Sequence, residues 1–548
     1  MNESNTATPQ KSIIPLFILI TMLAGTGFII LLNLGHYVGT NFDTYEEKVI
    51  IFKRNPIATL GICILSTLFC SIIYSFTNKL SNRIINAIQI IFLFSVFVIC
   101  VAIVRTNPFP PNADQFLVWH MAKYLEGFDS GIPYSYTPNY WVKYPQQQTT
   151  AVLLSWFIRI LHHGNEYYFR LLNAILYASF CLGIKILTDN LFESKSVSLM
   201  SFLFVVCYIP TLFYVNYVYG TILSMTAVIW GFIFLIRTYK EKKIGMKIFY
   251  LISTVLISVI GNAFYIATLI ATIAMTCFLL TSFCENIKKY MTPQRIAVKL
   301  ICIVCFAMII FGATTAVNRY CKGYFVSKVE EVHEYANSKG MPLTGLILIG
   351  ISETEGVNGP GSYTGMTDFI FAENNYDTDK TQEDVNDRIV KVCKEYLSGQ
   401  RSFRFFIDKE IVQWTDPWFA SLSMTIYPNL VEKDSISELW NSLLYDGPLP
   451  MIERFFSVVM TMILILTFIG CISLWHKYKS NSLSGIYWVL PAFYIIGGFV
   501  FQFFWETKSR YCMPYFMMTI PFAAYGCHSI AQLISLIIIR QKELKGSS

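Results

Sequence analysis

The chain has 548 residues, of which 54% are hydrophobic and only 14% carry a charge. Soluble domains devote roughly a quarter of their residues to charge, so a soluble enzyme is excluded and a polytopic membrane protein is expected. The net charge of +7 falls mostly in short segments between apolar runs, where it reads as membrane topology and not as affinity for nucleic acid.

A membrane helix needs roughly 20 apolar residues. Taken along the chain, the runs that qualify are 12–33, 57–76, 84–105, 167–187, 196–213, 220–237, 247–260, 264–282, 296–316, 451–475, 484–504 and 511–537, two of them short. The first is followed by Asn33-LGHYVGTNF and by no small-residue cleavage site, so it is expected to stay as an anchor. Segment 148–163 is a thirteenth candidate, and positive charge decides its course. Lys and Arg cluster at Lys79/Arg83, Lys185/Lys195, Arg237 to Lys247, Lys288 to Arg295, Lys477/Lys479 and Arg540 to Lys545. All of them fall on the cytoplasmic side only if 148–163 does not cross. It is therefore expected to be an interfacial helix, apolar at Val152, Trp156, Phe157 and Ile160 and polar at Arg159, His162 and His163. Twelve spans result, with both termini cytoplasmic.

The resulting organisation is three spans in 1–105, an outer loop with the interfacial helix in 106–166, membrane helices in 167–316, an extracytoplasmic domain in 317–450 and C-terminal membrane helices in 451–548. The large polar segment reads as mixed, with a helical pattern from Thr381 to Leu397 and an apolar run from Leu343 to Ile351. Most of the 14 cysteines lie in apolar runs, where they act as small hydrophobes. Cys321 and Cys393 fall in the polar segment and can pair if it is extracytoplasmic. Neither GxGxxG nor a Walker pattern occurs, so no soluble nucleotide-binding unit is expected. His162 and His163 are adjacent and share no helix face as a zinc pair at i, i+4 does. No cofactor is expected, with a divalent metal left open.

Asp114, in Pro110-PNADQFLVWHMAKYLEG, lies nine residues past an apolar run that ends at Arg105. A carboxylate at a membrane boundary is costly unless it does something. It can cap the helix that follows, or it can be a reactive base.

Three motifs decide between those readings. They are Asp114 in its loop, the aromatic-proline element Tyr140-WVKYPQQQTTAVLL, and Glu506-TKSRYCMPYFMMTIP before a proline-broken helix. Together they resemble the GT-C superfamily of integral-membrane glycosyltransferases, which includes the protein O-mannosyltransferases, the lipid A aminoarabinose transferase and Gram-positive cell-envelope enzymes. Met341-PLTGLILIGISETEGVNGPGSY is similar to the extracytoplasmic domain of the Gram-positive members. The resemblance implies a GT-C fold and Asp114 as catalytic base. It implies a polyprenyl-phosphate-sugar donor, such as undecaprenyl-phosphate-hexose, made and flipped by a separate glycosyltransferase and flippase. The implied acceptor is an extracytoplasmic glycan such as teichoic acid or wall polysaccharide. Protein O-glycosylation is an alternative, as is a lipid-linked sugar flippase, which predicts internal repeats and mid-membrane charges that the sequence does not display.

A lipid-phosphate leaving group needs fixed positive charge. Arg510 beside Tyr511 is the first choice, then Lys143, then Arg170, each of them also explicable as an interfacial anchor. Glu506, four residues before Arg510, is expected to share its helix face and to orient it or an acceptor hydroxyl. His120, Tyr144 and Trp414, the last in Trp414-TDPWF, are candidates for contacts to sugar. Several relatives carry a second outer-loop acid where this chain has Tyr214-VNYVYGTILS, so a two-acid or two-loop metal mechanism is not expected. Asn216, Tyr217 and Tyr219 there can only hydrogen-bond a sugar.

Overall fold

The computed structural model describes the chain apart from residues 1–12, 41–48, 130, 132–138, 291, 353–354, 357–358, 427–434, 445–446, 481, 483–484 and 547–548. The first residues of the expected spans 12–33 and 484–504, and Glu353, Thr354, Val357 and Asn358 of the segment that begins at Met341, thus lie outside the described residues.

Three long helices open the chain: α1 (Ile14–Gly35), α2 (Pro56–Thr77) and α3 (Asn82–Arg105). A hairpin of β1 (His36–Thr40) and β2 (Val49–Lys53) separates the first two. Asn55 accepts from the Ile57 and Ala58 amides at α2, with Pro56 in the first turn, the arrangement in which proline's missing donor costs nothing. Three helices then lie beyond the end of α3: α4 (Ala113–Leu125), α5 (Asn139–Lys143) and α6 (Pro145–Leu161). The chain returns through α7 (Tyr167–Phe192) and α8 (Lys195–Cys207), a 3-10 turn at Ile209–Asn216, then α9 (Thr221–Lys240), α10 (Ile244–Phe264), α11 (Leu269–Tyr290) and α12 (Pro293–Lys328).

Shorter helices follow: α13 (Leu343–Ile351), α14 (Met366–Glu373), α15 (Thr378–Leu397), α16 (Arg404–Trp414) and α17 (Ser435–Leu444). The bundle closes with α18 (Leu449–Lys479), α19 (Val489–Phe504), α20 (Met513–Met517) and α21 (Ile520–Gly546). Among the described residues of 317–450 the only strands are Glu355–Gly356 and Gly359–Pro360. The mixed character expected there thus resolves almost entirely into helix, and α12 runs unbroken across position 316.

Each of the twelve expected runs contains helix among the described residues, although 484–504 is helical only from Val489 and 511–537 is broken at Met518 and Thr519. Nine of the described helices are long and apolar enough to cross a membrane. The pair α8 and Ile209–Asn216, bent by 59°, passes the same test together and makes a tenth if it is counted as one span. Leu269–Glu285 and Val489–Phe504 are apolar but shorter. The chain is a multi-pass helical membrane protein.

The bend has a local cause in Pro210, which cannot continue a helix. Carbonyls in the irregular stretch beyond the bend find side-chain partners, as buried irregular backbone requires: Ser421 Oγ donates to Pro210 O at 2.6 Å, and Asn173 Nδ2 donates to the Val215 and Tyr217 carbonyls at 3.2 and 3.0 Å. Elsewhere glycine sets the packing distance. A Cβ at Gly526 would lie 2.0 Å from the Leu466 carbonyl, and one at Gly470 would lie 2.2 Å from that of Phe522. The backbones of α18 and α21 touch directly, the contact small residues permit in lipid.

The up-and-down course sorts the connections to two ends. At one end Lys240 pairs with Glu193 at 2.8 Å, Ser196 bonds Asn78 at 3.1 Å and Tyr478 bonds Glu285 at 2.8 Å. The other end gathers the hairpin, α4 to α6 and α13 to α17. Helix α6 stays at that end throughout: Gln147 bonds Tyr219, Thr150 bonds the Phe264 carbonyl at 3.4 Å, and Arg159 bonds Glu126 at 2.8 Å. Its expected two-faced character is not what forms. Because α6 packs against both α4 and α12, polar Gln148, Thr149, Thr150 and Ser155 are buried, while Ile160 is exposed. Cys321 on α12 is buried and Cys393 on α15 is exposed, and both are free thiols, so the pairing that the sequence left open does not form.

Candidate functional site

Asp114 is the second residue of α4 and stands at the centre of this second end. Ala113 before it has φ +44°, a left-handed conformation that costs an L-residue about 1–2 kcal/mol. Strain of this kind persists only where the surroundings impose it, and here Gln115 does so. Its Nε2 donates to Asn112 Oδ1 at 2.9 Å and to the Met424 carbonyl at 2.8 Å, and its Oε1 accepts from the Val218 amide at 2.9 Å. The first turn of α4 is thereby fixed to two distant loops. Asn112 occupies the N-cap position without a side-chain cap bond, and Asp114 does not cap either. Its Oδ1 accepts from the Tyr140 hydroxyl at 3.1 Å, and its Oδ2 lies 3.6 Å from Arg510 Nη2.

Arg510 belongs to a short 3-10 turn, Ser509–Tyr511. Its side chain is 8% exposed, against 35% for Asp114, so the acid is the accessible partner. Met424 Sδ accepts from Arg510 Nη1 at 3.2 Å. Met424 sits in a loop held by Asp416, whose carboxylate accepts from the Trp418 and Ala420 amides at 2.9 and 2.8 Å and from Ser509 Oγ at 2.6 Å. Burial pushes the Asp416 carboxyl up, and its bonds make it a loop organiser.

Lys143 closes another side. It is 4% exposed, its ammonium pairs with Asp368 and donates to Thr367 Oγ1 at 3.1 Å, and it lies over the rings of Tyr144 and Tyr363 at 4.9 and 5.0 Å. Burial pushes it down to about 7, against the opposing fields of Glu506 and Asp114. Burial likewise raises the phenols of Tyr140, Tyr144 and Tyr511, with the nearby carboxylate of Asp114 adding to each. The site is thus a half-open carboxylate flanked by two buried cations and bordered by neutral tyrosines.

The remaining candidates are arranged differently from expectation. Trp505 to Lys508 are not helical, so Glu506 and Arg510 share no helix face. Glu506 instead lies 3.3 Å from Lys508, while its field reaches Lys143, Tyr144 and Tyr511. Arg170 donates to the Phe109 and Asn107 carbonyls at 2.7 and 3.4 Å and so pins the approach to α4. Its guanidinium also lies 3.8 Å from Glu166. His120 is 2.8 Å from Asp129 and packs on Phe116 at 4.1 Å. Six residues of helix carry it to another face of α4 than Asp114.

Trp414 is 2% exposed and stacks on Phe499 at 4.8 Å. Its ring thus packs inside the protein against α19, away from the accessible edge of Asp114. Tyr140, Asp368 and Met424 were not singled out by sequence. Only Tyr140 carried a signal, as the first residue of the aromatic-proline element. Among the described residues no group of three or more His, Cys, Asp or Glu converges as a metal site would require.

No family model matches the chain, and no curated protein matches it. Among solved structures, it is similar to the archaeal oligosaccharyltransferase AglB from Archaeoglobus fulgidus, solved with an inhibitory peptide and a dolichol-phosphate. The identity is 13%, the match covers 83% of this chain and 52% of that one, and the TM-score is 0.37. The chain therefore spans about half the length of that structure, and at this level the similarity assigns it no activity or substrate.

Proposed function

We propose that the protein is a GT-C-type glycosyltransferase that moves a sugar from a polyprenyl-phosphate donor to an extracytoplasmic cell-envelope glycan, such as teichoic acid or wall polysaccharide. The observation that carries this reading is the pairing of Asp114 with Arg510 at 3.6 Å, drawn from separate connections onto one end of the bundle, with buried Lys143 within the electrostatic reach of Asp114. In this mechanism Asp114 accepts the proton of an acceptor hydroxyl as its oxygen attacks the anomeric carbon. The bond from that carbon to the phosphate oxygen breaks, and the polyprenyl phosphate leaves with the bonding pair. Arg510 and Lys143 stabilise its charge, which needs donors fixed in advance where water is excluded. Tyr140 orients the base, and the neutral tyrosines offer ring faces and hydroxyls to the sugar.

The test is transfer of labelled hexose from undecaprenyl-phosphate-hexose by the reconstituted protein, with Asp114→Asn beside it, and mass spectrometry of envelope polymers from a strain lacking the protein. A positioned base contributes about 10²- to 10⁴-fold, so the variant should lose at least that much while folding normally. An Asp114→Asn protein that transfers sugar at the wild-type rate would overturn the assignment.

A further inference from the structure

Glu506, Arg510 and Tyr511 lie on a segment outside the long helices, so something else must hold it in place. The structure supplies a buried lysine. Lys409 on α16 is 0% exposed, and its ammonium donates to three backbone carbonyls: Gly350 at 2.8 Å, Phe503 at 3.0 Å and Trp505 at 2.6 Å. Gly350 is the last residue but one of α13, and Phe503 and Trp505 lie at the end of α19. Helix C-termini carry carbonyls without intrahelical partners, and an ammonium offers three donors and no acceptor. One side chain thus joins two helix ends.

The backbone around it is correspondingly close. A Cβ at Gly350 would stand 2.3 Å from the Trp505 carbonyl, and one at Gly361, where φ is +73°, would stand 2.8 Å from Thr507 Oγ1 and 3.4 Å from Lys409 Cδ. Thr507 completes the attachment: its amide donates to the Gly361 carbonyl at 2.9 Å and its hydroxyl to that of Pro360 at 2.6 Å. From Trp505 to Thr507 the chain is tied to α13, α16 and the 360–361 turn, and Arg510 meets Asp114 three residues later. An apolar residue could fill this position without desolvating a cation, which is expensive. What the lysine adds is a fixed geometry.

We propose that Lys409 is a positioning residue, whose three carbonyl bonds set the path of Glu506–Tyr511 and hence the reach of Arg510 to Asp114. Its bearing on catalysis rests on the transferase reading above, whereas its bearing on the segment does not.

The test is Lys409→Met in the full-length protein, read by hydrogen–deuterium exchange of peptides covering 505–511 and by hexose transfer from undecaprenyl-phosphate-hexose. Exchange should rise in 505–511 and stay unchanged in α1 and α18. The kcat should fall about 100-fold, the effect of a misplacement of about 1 Å, with donor KM changing much less. Wild-type exchange in 505–511 overturns the proposal whatever the activity. A wild-type protein that transfers no sugar sinks the transferase reading, and the exchange result still decides the positioning claim. If Lys409→Met does not fold, Thr507→Val decides: it loosens the same segment by removing the bond to Pro360, and 505–511 must again exchange faster than the bundle. A uniform or absent change overturns the proposal.

Discussion

Lys143→Met distinguishes a cation kept for a ligand from one kept for stability. Burial lowers the Lys143 ammonium from 10.5 to about 7, which corresponds to about 5 kcal/mol of destabilisation at about 1.36 kcal/mol per pH unit. The contact with Asp368 returns about 1–3 kcal/mol, because that acid is 45% exposed and screened. The balance is a net cost of about 2–4 kcal/mol, which methionine removes at nearly constant volume. Its direction with pH follows from linkage. For a base whose pKa falls on folding, the unfolded chain holds the extra proton between the lowered folded value and 10.5, so the penalty is complete at pH 7 and below and is relieved as pH rises toward 10.5. Lys143→Met should therefore melt several degrees above wild type at and below pH 7, with the gap closing toward pH 10.5. Donor binding should weaken about 10- to 150-fold, the loss of one charge-assisted bond of about 1.5–3 kcal/mol. Melting curves in detergent from pH 6 to 10, paired with undecaprenyl-phosphate binding, provide the assay. A variant that melts below wild type at pH 7, or whose gap ignores pH, refutes the reasoning.

Three other substitutions separate chemistry from packing. Arg510→Lys keeps the charge beside Asp114 but loses the planar fork, so transfer should fall about 10- to 100-fold with melting little changed; an unaltered rate would remove Arg510 from the leaving-group role. Trp414→Phe should cost about 1–2 kcal/mol of stability through the lost stack on Phe499 and leave donor and acceptor KM alone, and a raised KM would restore Trp414 as a sugar contact. Gly526→Val must part α18 from α21, because even a Cβ would lie 2.0 Å from the Leu466 carbonyl; a loss of about 1–3 kcal/mol or more is expected, seen as a lower melting temperature, and wild-type melting would mean the helices are not in backbone contact.

The membrane helices were legible because hydropathy is a local property: every apolar run long enough to notice contains helix in the structure. The placement of α6 at one end of the bundle agrees with a reading of a different kind, in which the charge clusters constrain all connections jointly. What failed did so where a role depends on three-dimensional neighbours. Arg170 and Arg510 look alike in sequence, each next to an aromatic residue at the margin of a run, yet one faces the Phe109 carbonyl and the other Asp114. Trp414 presents the same aromatic signal whether it stacks on a sugar or on Phe499. The spacing of Glu506 and Arg510 implies a shared face only if the segment is helical, and Lys409 ties it into another shape. Short apolar runs such as Leu343 to Ile351 carry no period that separates strand from helix.

The arrangement of charge follows a single pattern that no one residue reveals. Arg510 and Lys143 are almost wholly buried, and each is held by a carboxylate that is a third or more exposed, Asp114 and Asp368 respectively. Burying both cations alone would be prohibitive, and burying both members of each pair would lock the cations to their acids. With the acids toward solvent, an arriving phosphate can share or replace them at modest cost, because an exposed carboxylate recovers its hydration. The two acids then part ways by their supports. Asp114 is fixed by Tyr140 and by a strained first turn that Gln115 ties to two loops, whereas Asp368 stands on α14 at the margin of the site and bonds Tyr363. A carboxylate that must meet a hydroxyl in one orientation needs the first kind of support, and one that only balances charge can do with the second. That difference supports Asp114 over Asp368 as the proposed base, on grounds separate from any sequence motif.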